Sequence, residues 1–391
     1  MKKIGALVIS VVLLMNMAFC RQVSAEPKED QLNITSTSAV LIEGSTGSII
    51  YEKNKDEKLK PASITKIMTL LLIFEALDSG KIKLEDEVTV SEYAASMGGS
   101  QVYLEPYEVQ TVETMIKCIS IASANDASVA MAELIAGSEE EFVARMNKKA
   151  KELGMLNTNF VNCCGLDEDN HYSTAYDVAL MSRELITKHP EVSKYATVWM
   201  DTIIHTTKKG QSEFGLTNTN KLIKYYNGIT GLKTGSTSLA KYCLSATARR
   251  NGMDLIAVIM AAPETKVRFA EAAKLLDYGF ANCSIFRDAN EELTANEPIP
   301  VKKGIASTLK YKAKEEFSYL CLKGTDPNDI TKEITLDENV TAPVKENDKV
   351  GEITYKLGGQ KIGTVDIVAA ENVEKAKFKH YFIQVLRKLL L

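Results

Sequence analysis

The chain reads as an α+β protein: a mixed sheet with a helical layer and a helical subdomain, followed by a small all-β domain. Three observations predict this. Short β-prone hairpins stand at both ends of the first 282 residues, with helical stretches between them. One of those stretches, Ile67 to Phe74, is apolar nearly all round, as a helix buried at the centre of a domain must be. After about Cys283 the composition turns to short β-prone runs broken by turns.

The 391 residues are 45% apolar and 25% charged, ordinary globular values with room for two domains. Lys2 and Lys3 precede an apolar run from Ile4 to Phe19, and Val23-Ser24-Ala25 offers the small residues of a cleavage site, so residues 1–25 are expected to be a secretory signal peptide. Arg21 ends the apolar run too early for a comfortable membrane span, and the bulky Phe19 before Cys20 disfavours a lipid-modified cysteine. Removing residues 1–25 takes away three basic residues and no acidic one, which moves the formal net charge from −4 to −7. No nucleic-acid partner is expected of such a surface.

After a polar leader at 26–37, Ala39-Val40-Leu41-Ile42 and Ser48-Ile49-Ile50-Tyr51 read as strands of a hairpin, joined by Glu43-Gly44-Ser45-Thr46-Gly47. The apolar helix is expected from Ser63 to about Leu77, stopping near Ser79-Gly80. Residues 111–152 read as mostly helical with an interruption at Ser123-Ala124-Asn125-Asp126. A further helix is expected from Thr174 to Lys188, with Thr174 and Asp177 in capping-box spacing. Strands follow at Gly231–Ser236, Tyr242–Arg249 and Asp254–Ala261, the last two joined by the hairpin turn Arg250-Asn251-Gly252. Lys266 to Tyr278 reads as a helix with Gly279 as its C-cap.

The β domain is expected within 284–370, with Gly358-Gly359 as a turn. Residues 371–391 read as a basic amphipathic helix: Phe378, Phe382, Val385 and Leu389 recur at helical spacing among Lys375, Lys377, Lys379, Arg387 and Lys388. Its expected place is the surface of an anionic membrane, the alternative being a helix docked on the protein itself. The six cysteines after residue 25, with Cys163 and Cys164 adjacent, read as small buried thiols rather than a disulfide framework. Four histidines without an HExxH or a CxxC pair point to no metal, and no cofactor is implied.

Chemistry enters at Ser63-Ile64-Thr65-Lys66. A hydroxyl and an amine three residues apart share a helix face, and a desolvated lysine can accept the serine's proton without a histidine. Spacing alone decides nothing, since Ser238-x-x-Lys241 and Ser307-x-x-Lys310 have it too. Further on, Ser123-Ala124-Asn125 offers a second hydroxyl and an amide, although a plain helix cap explains it equally well. Lys233-Thr234-Gly235, on an expected strand, offers a cation and a hydroxyl for a carboxylate, and a glycine that admits a substrate backbone.

In this order the motifs are the S-x-x-K, S-x-N, K-T-G signature of active-site serine penicillin-recognising enzymes, with Ser-Ala-Asn in place of Ser-Asp-Asn. The whole stretch from residue 34 to 391 resembles the low-molecular-mass penicillin-binding proteins, serine-type D-Ala-D-Ala carboxypeptidases. Lys60-Pro61-Ala62, Gly165-Leu166-Asp167, His171-Tyr172-Ser173-Thr174-Ala175 and Leu275-Leu276-Asp277-Tyr278-Gly279-Phe280 add to the likeness.

The resemblance implies a penicillin-binding/β-lactamase-like transpeptidase fold over residues 34–282. It implies Ser63 as nucleophile and Lys66 as base, with Ser123 and Asn125 relaying a proton and positioning the substrate. Lys233 and Thr234 would bind the substrate's terminal carboxylate, Gly235 would let the substrate backbone come close, and the N–H groups of Ser63 and Ser236 would form the oxyanion hole. Arg268 would support the carboxylate, with a surface arginine as the alternative, while His171 and Asp177 would be structural.

Peptidoglycan stem peptides as substrates, β-lactams as covalent inhibitors and an extracytoplasmic, membrane-peripheral location are further implications. Two other functions stay open: a class A-like β-lactamase, and a silent wall-binding protein of the same fold. The first needs a deacylating glutamate, and residues 157–169 contain Glu168 but no Glu-x-x-Leu-Asn. One departure stands out, since relatives often have Ala-Gly-Tyr-Cys where this chain has Ala240-Lys241-Tyr242-Cys243.

Overall fold

A computed structural model describes residues 32–291, 293 and 298–389, with side chains at the C-terminal end as far as Ile383. The expected leader at residues 1–25 lies outside the described residues. In chain order come strands β1 (Ser38–Glu43) and β2 (Ile49–Lys53), then helices α1 (Lys66–Asp78), α2 (Asn125–Ala136), α3 (Glu139–Glu152) and α4 (Ala175–Lys188). The hairpin β3 (Met200–Thr207) and β4 (Gly210–Thr217) follows, then β5 (Ile229–Thr237), β6 (Lys241–Arg250), β7 (Met253–Ala262) and helix α5 (Thr265–Asn282).

The central sheet runs β2-β1-β7-β6-β5. The α+β class holds, but every pairing in this sheet is antiparallel, so it is not the mixed sheet expected. Strand residues point alternately to the two faces. Val40, Ile42, Ile256, Val258 and Met260 join the large core that includes α1 and α4. Leu41 and Leu255 face α5 on the other side. All ten residues of β7 are buried, as a middle strand covered on both faces requires.

Gly279 belongs to that second face. It is no C-cap: α5 runs through it to Asn282, and a Cβ there would stand 2.5 Å from Leu255 Cδ1 and 3.0 Å from Leu41 Cδ2. Glycine is needed for helix–sheet approach, not for stopping the helix. The other local expectations fare better. Thr174 caps α4 by accepting from the Asp177 N–H, and Gly252 at φ +76 closes the β6–β7 turn.

The C-terminal part is all-β. Strands β8 (Cys283–Asp288), β9 (Tyr311–Ala313), β10 (Phe317–Leu322), β11 (Ile330–Leu336), β12 (Lys349–Leu357) and β13 (Gln360–Ala369) form a β8–β10 pair and an antiparallel sheet β9-β13-β12-β11. Tyr355 and Phe317 stack at its centre with ring centroids 3.7 Å apart. β-type pairing continues past residue 370, through the bridges Val344–Val373 and Gly304–Lys375. The terminal helix α6 therefore spans Phe378–Leu389 rather than starting at 371. Among the described residues no helix is long and apolar enough to cross a membrane. All six described cysteines are free thiols, five buried and Cys283 half-buried.

Candidate active site

The predicted Ser63 helix is two elements. Residues Ala62–Thr65 form a 3₁₀ turn, and the α-helix proper begins at Lys66. Ala62 sits at φ +49, a left-handed conformation that is strained for a residue with a Cβ and typical of functional corners. The turn sets Lys66 Nζ 3.2 Å from Ser63 Oγ. Lys66 is fully buried, and its Nζ also reaches Asn125 Oδ1 at 2.6 Å and the Cys164 carbonyl at 2.7 Å. Burial away from water holds the Lys66 amine below its ordinary range, opposed in part by the nearby Asp126 carboxylate.

Ser123 and Asn125 reach the site by a backbone irregularity. Residues Cys118–Ala122 form a single π-helical turn, Ser123 follows at φ +63, and α2 starts at Asn125. Asn125 is held at three points: its N–H donates to Ser100 O, its Nδ2 donates to Gly98 O, and its Oδ1 accepts from Lys66. Ser123 Oγ is buried and has no hydrogen-bond partner among the described residues. Such a group costs free energy unless a substrate or water completes it.

Strand β5 is an edge strand and runs past the head of α1. A Cβ at Gly235 would lie 2.7 Å from Pro61 O and 3.0 Å from the backbone nitrogens of Ser63 and Ile64. Only glycine lets the strand come so close. Lys233 is buried, Thr234 Oγ1 contacts Thr219 Oγ1 at 2.6 Å, and Ser236 is exposed beyond them. Arg268 is no surface arginine. It is buried, donates to the carbonyls of Gly235 (2.9 Å) and Cys243 (3.2 Å), and packs against the Tyr242 and Phe269 rings.

The Lys233 amine is pushed well down, first by burial and then by the positive charges of Lys66 and Arg268. Among the described residues no carboxylate is ion-paired with Lys233 or Arg268, so this side of the site is suited to an incoming anion.

Sequence reasoning thus named the groups that converge and, His171 apart, missed those that hold them. Asp126, next to Asn125, accepts from the N–H groups of Val102, Leu104 and Ala127 and so fixes the segment that anchors Asn125. Asn162 Oδ1 accepts from Cys164, Gly165 and Leu166, which aims the Cys164 carbonyl at Lys66. His171 underpins the nucleophile turn. Val161 N–H donates to its Nδ1, so Nε2 carries the proton and donates to Thr65 Oγ1 at 2.9 Å. Asp126 and Asn162 are single polar residues, one at the head of a helix and one in a loop, and no spacing marks them.

The D-alanyl-D-alanine carboxypeptidase family model matches residues 22–264. The chain belongs to that family, peptidase S11. A second model, the penicillin-binding protein 5 C-terminal domain, matches residues 286–375. The D-alanyl-D-alanine carboxypeptidase DacF of Bacillus subtilis is 46% identical over 377 residues, 96% of this chain and 95% of that protein. Penicillin-binding protein 5 from Haemophilus influenzae has a solved structure with a TM-score of 0.72 at 32% identity, over 88% of this chain and 98% of that one. Penicillin-binding protein D2 from Listeria monocytogenes, solved in its ampicillin-bound form, matches 64% of this chain and 99% of its own, with a TM-score of 0.53 at 32% identity. The protein is a D-Ala-D-Ala carboxypeptidase with the fold of the low-molecular-mass penicillin-binding proteins.

Proposed function

We propose that the carboxypeptidase trims the terminal D-alanine of peptidoglycan stem pentapeptides through an acyl-enzyme at Ser63, and that penicillins acylate the same serine. The observation that carries this is the surroundings of Lys66 Nζ. A neutral amine has two N–H donors and one lone pair. Asn125 Oδ1 and the Cys164 carbonyl take the two donors, which leaves the lone pair for the Ser63 hydroxyl. Burial favours that neutral form.

Ser63 Oγ then attacks the penultimate D-Ala carbonyl as its proton passes to Lys66. The N–H groups of Ser63 and Ser236 stabilise the oxyanion. Ser123 hands its proton to the leaving amine and takes in return the proton that Lys66 accepted from Ser63, so D-alanine departs and Lys66 is neutral again. Water then attacks the ester, giving its proton to Lys66, which passes it to Ser63 Oγ as the tetrapeptide leaves. Lys233 and Thr234 bind the terminal carboxylate, Gly235 lets the peptide backbone approach, and Arg268 braces the strand from behind. The β-lactamase alternative is disfavoured because Glu168 is exposed and a backbone carbonyl, that of Cys164, is what faces Lys66.

In the same reading residues 1–25 direct export, residues 34–282 carry the chemistry and residues 284–370 form an appended domain. The segment 371–391 rests on the outer face of the cytoplasmic membrane, in keeping with exposed Phe378, Tyr381, Phe382 and Ile383 beside Lys377 and Lys379.

The test uses a fluorescent penicillin and a pentapeptide ending in D-Ala-D-Ala. Durable label and D-alanine release, both lost in Ser63→Ala, are expected. Rapid penicillin turnover without D-alanine release would overturn the reading in favour of a lactamase. Pelleting with anionic but not neutral vesicles, lost on removing residues 378–391, is expected of the terminal segment.

A further inference from the structure

Far from Ser63, at the other end of α1, Asp78, His189 and Glu191 bring one imidazole nitrogen and two carboxylate oxygens within 4.8 Å of one another. We infer that they form a binding site for a divalent transition-metal ion of the zinc class, a structural site separate from catalysis.

His189 makes the case. Its ring is buried and stacks on Phe74, centroids 6.0 Å apart, so its direction is fixed. Its Nδ1 lies 2.9 Å from Asp78 Oδ2 and 3.9 Å from Glu191 Oε1, yet makes no hydrogen bond among the described residues. An N–H aimed at a carboxylate would have made one. Ligand atoms about 2.1 Å from a shared ion, at right angles to each other, stand about 3 Å apart, which matches the His189–Asp78 separation. Imidazole with carboxylates suits zinc, cobalt or manganese, and the exposed Asp78 and half-exposed Glu191 leave room for water to complete the shell.

The backbone points the same way. Asp78 is the last residue of α1, and His189 follows the last residue of α4. Two helix C-termini, each the negative end of its dipole, converge on this spot. A bound ion would clamp α1 to the turn after α4 about 18 Å from Lys66, judged by helix rise, and so leave the chemistry alone.

The test is titration of chelator-stripped full-length protein with zinc or cobalt chloride. One equivalent is expected to bind. Zinc a hundredfold above its dissociation constant should raise the melting temperature by roughly 5 °C, with penicillin labelling unchanged. Cobalt should give weak visible bands without the intense near-ultraviolet band of a thiolate, which separates this site from Glu139 with Cys163 and Cys164. Asp78→Asn, an exposed change that spares folding, should weaken binding at least tenfold, as should Glu191→Gln, and His189→Gln should abolish it. Absence of binding, binding indifferent to Asp78→Asn, or a cobalt–thiolate band would each overturn the site.

Discussion

Ser63-x-x-Lys66 and Ser238-x-x-Lys241 have the same letters and spacing, and nothing else in common. The first begins in a 3₁₀ turn and ends in a buried helix, with its lysine shut off from water among three oxygen partners. The second lies in the β5–β6 turn, where Ser238 and Lys241 are both exposed. A lysine becomes a base at neutral pH only when burial penalises its charge, so motif letters acquire chemistry from the fold around them.

Removing the amine at each site measures the difference. Lys66→Met should slow penicillin acylation by roughly 10²–10⁴-fold, the range for loss of a general base, while Lys241→Met should change it less than twofold. Stopped-flow labelling at pH 7.5 reads both. A large effect at Lys241 would break the comparison.

The next effect concerns the floor of the buried motif. A Cβ at Gly165 would collide with the Ala62 carbonyl, and Gly165 sits at φ +86. Gly165→Ala should destabilise the protein by roughly 3 kcal/mol and slow acylation, because the Ala62–Ser63 corner must move. Denaturant melts and labelling rates check it, and unchanged values would show that the corner tolerates displacement.

Acid should act on the same turn. Burial lowers the His171 pKa to about 4. Between that value and its unfolded value near 6.5 the unfolded chain binds the extra proton, so stability rises with pH across this window and is lost as pH falls through it. The loss is roughly 3 kcal/mol by pH 4. Melts of wild type and His171→Gln at pH 7 and pH 4.5 should show a much smaller pH dependence in the variant.

The smallest effect belongs to the exposed motif. Lys241 has φ +55, a left-handed conformation that glycine adopts without strain, so Lys241→Gly should raise stability by roughly 1 kcal/mol with catalysis intact. Chemical melts resolve a shift of that size.

The all-round apolar run of α1, the strand runs of β6 and β7 and the three motifs were legible in the sequence because each is a local pattern. What escaped depends on partners remote in the chain. Gly279 looks like a helix stop until Leu41 and Leu255 are brought against it. The β3–β4 hairpin, residues 200–217, carries exposed Met200 and Ile204 beside buried Ile203, so its apolar residues do not alternate cleanly and it does not announce itself. The π-turn before Ser123 and the Asp126 and Asn162 supports exist only once the segments they tether are folded together.

The burial of α1 also bears on motion. Nearly every side chain from Lys66 to Phe74 is sealed within the core, so no small local fluctuation exposes this helix. Its amides should exchange with deuterated water only through global unfolding, among the slowest in the molecule. Catalytic competence would then persist through denaturant until the whole domain gives way, and fade over the same narrow interval. The enzyme's reactive corner would be among its last parts to loosen.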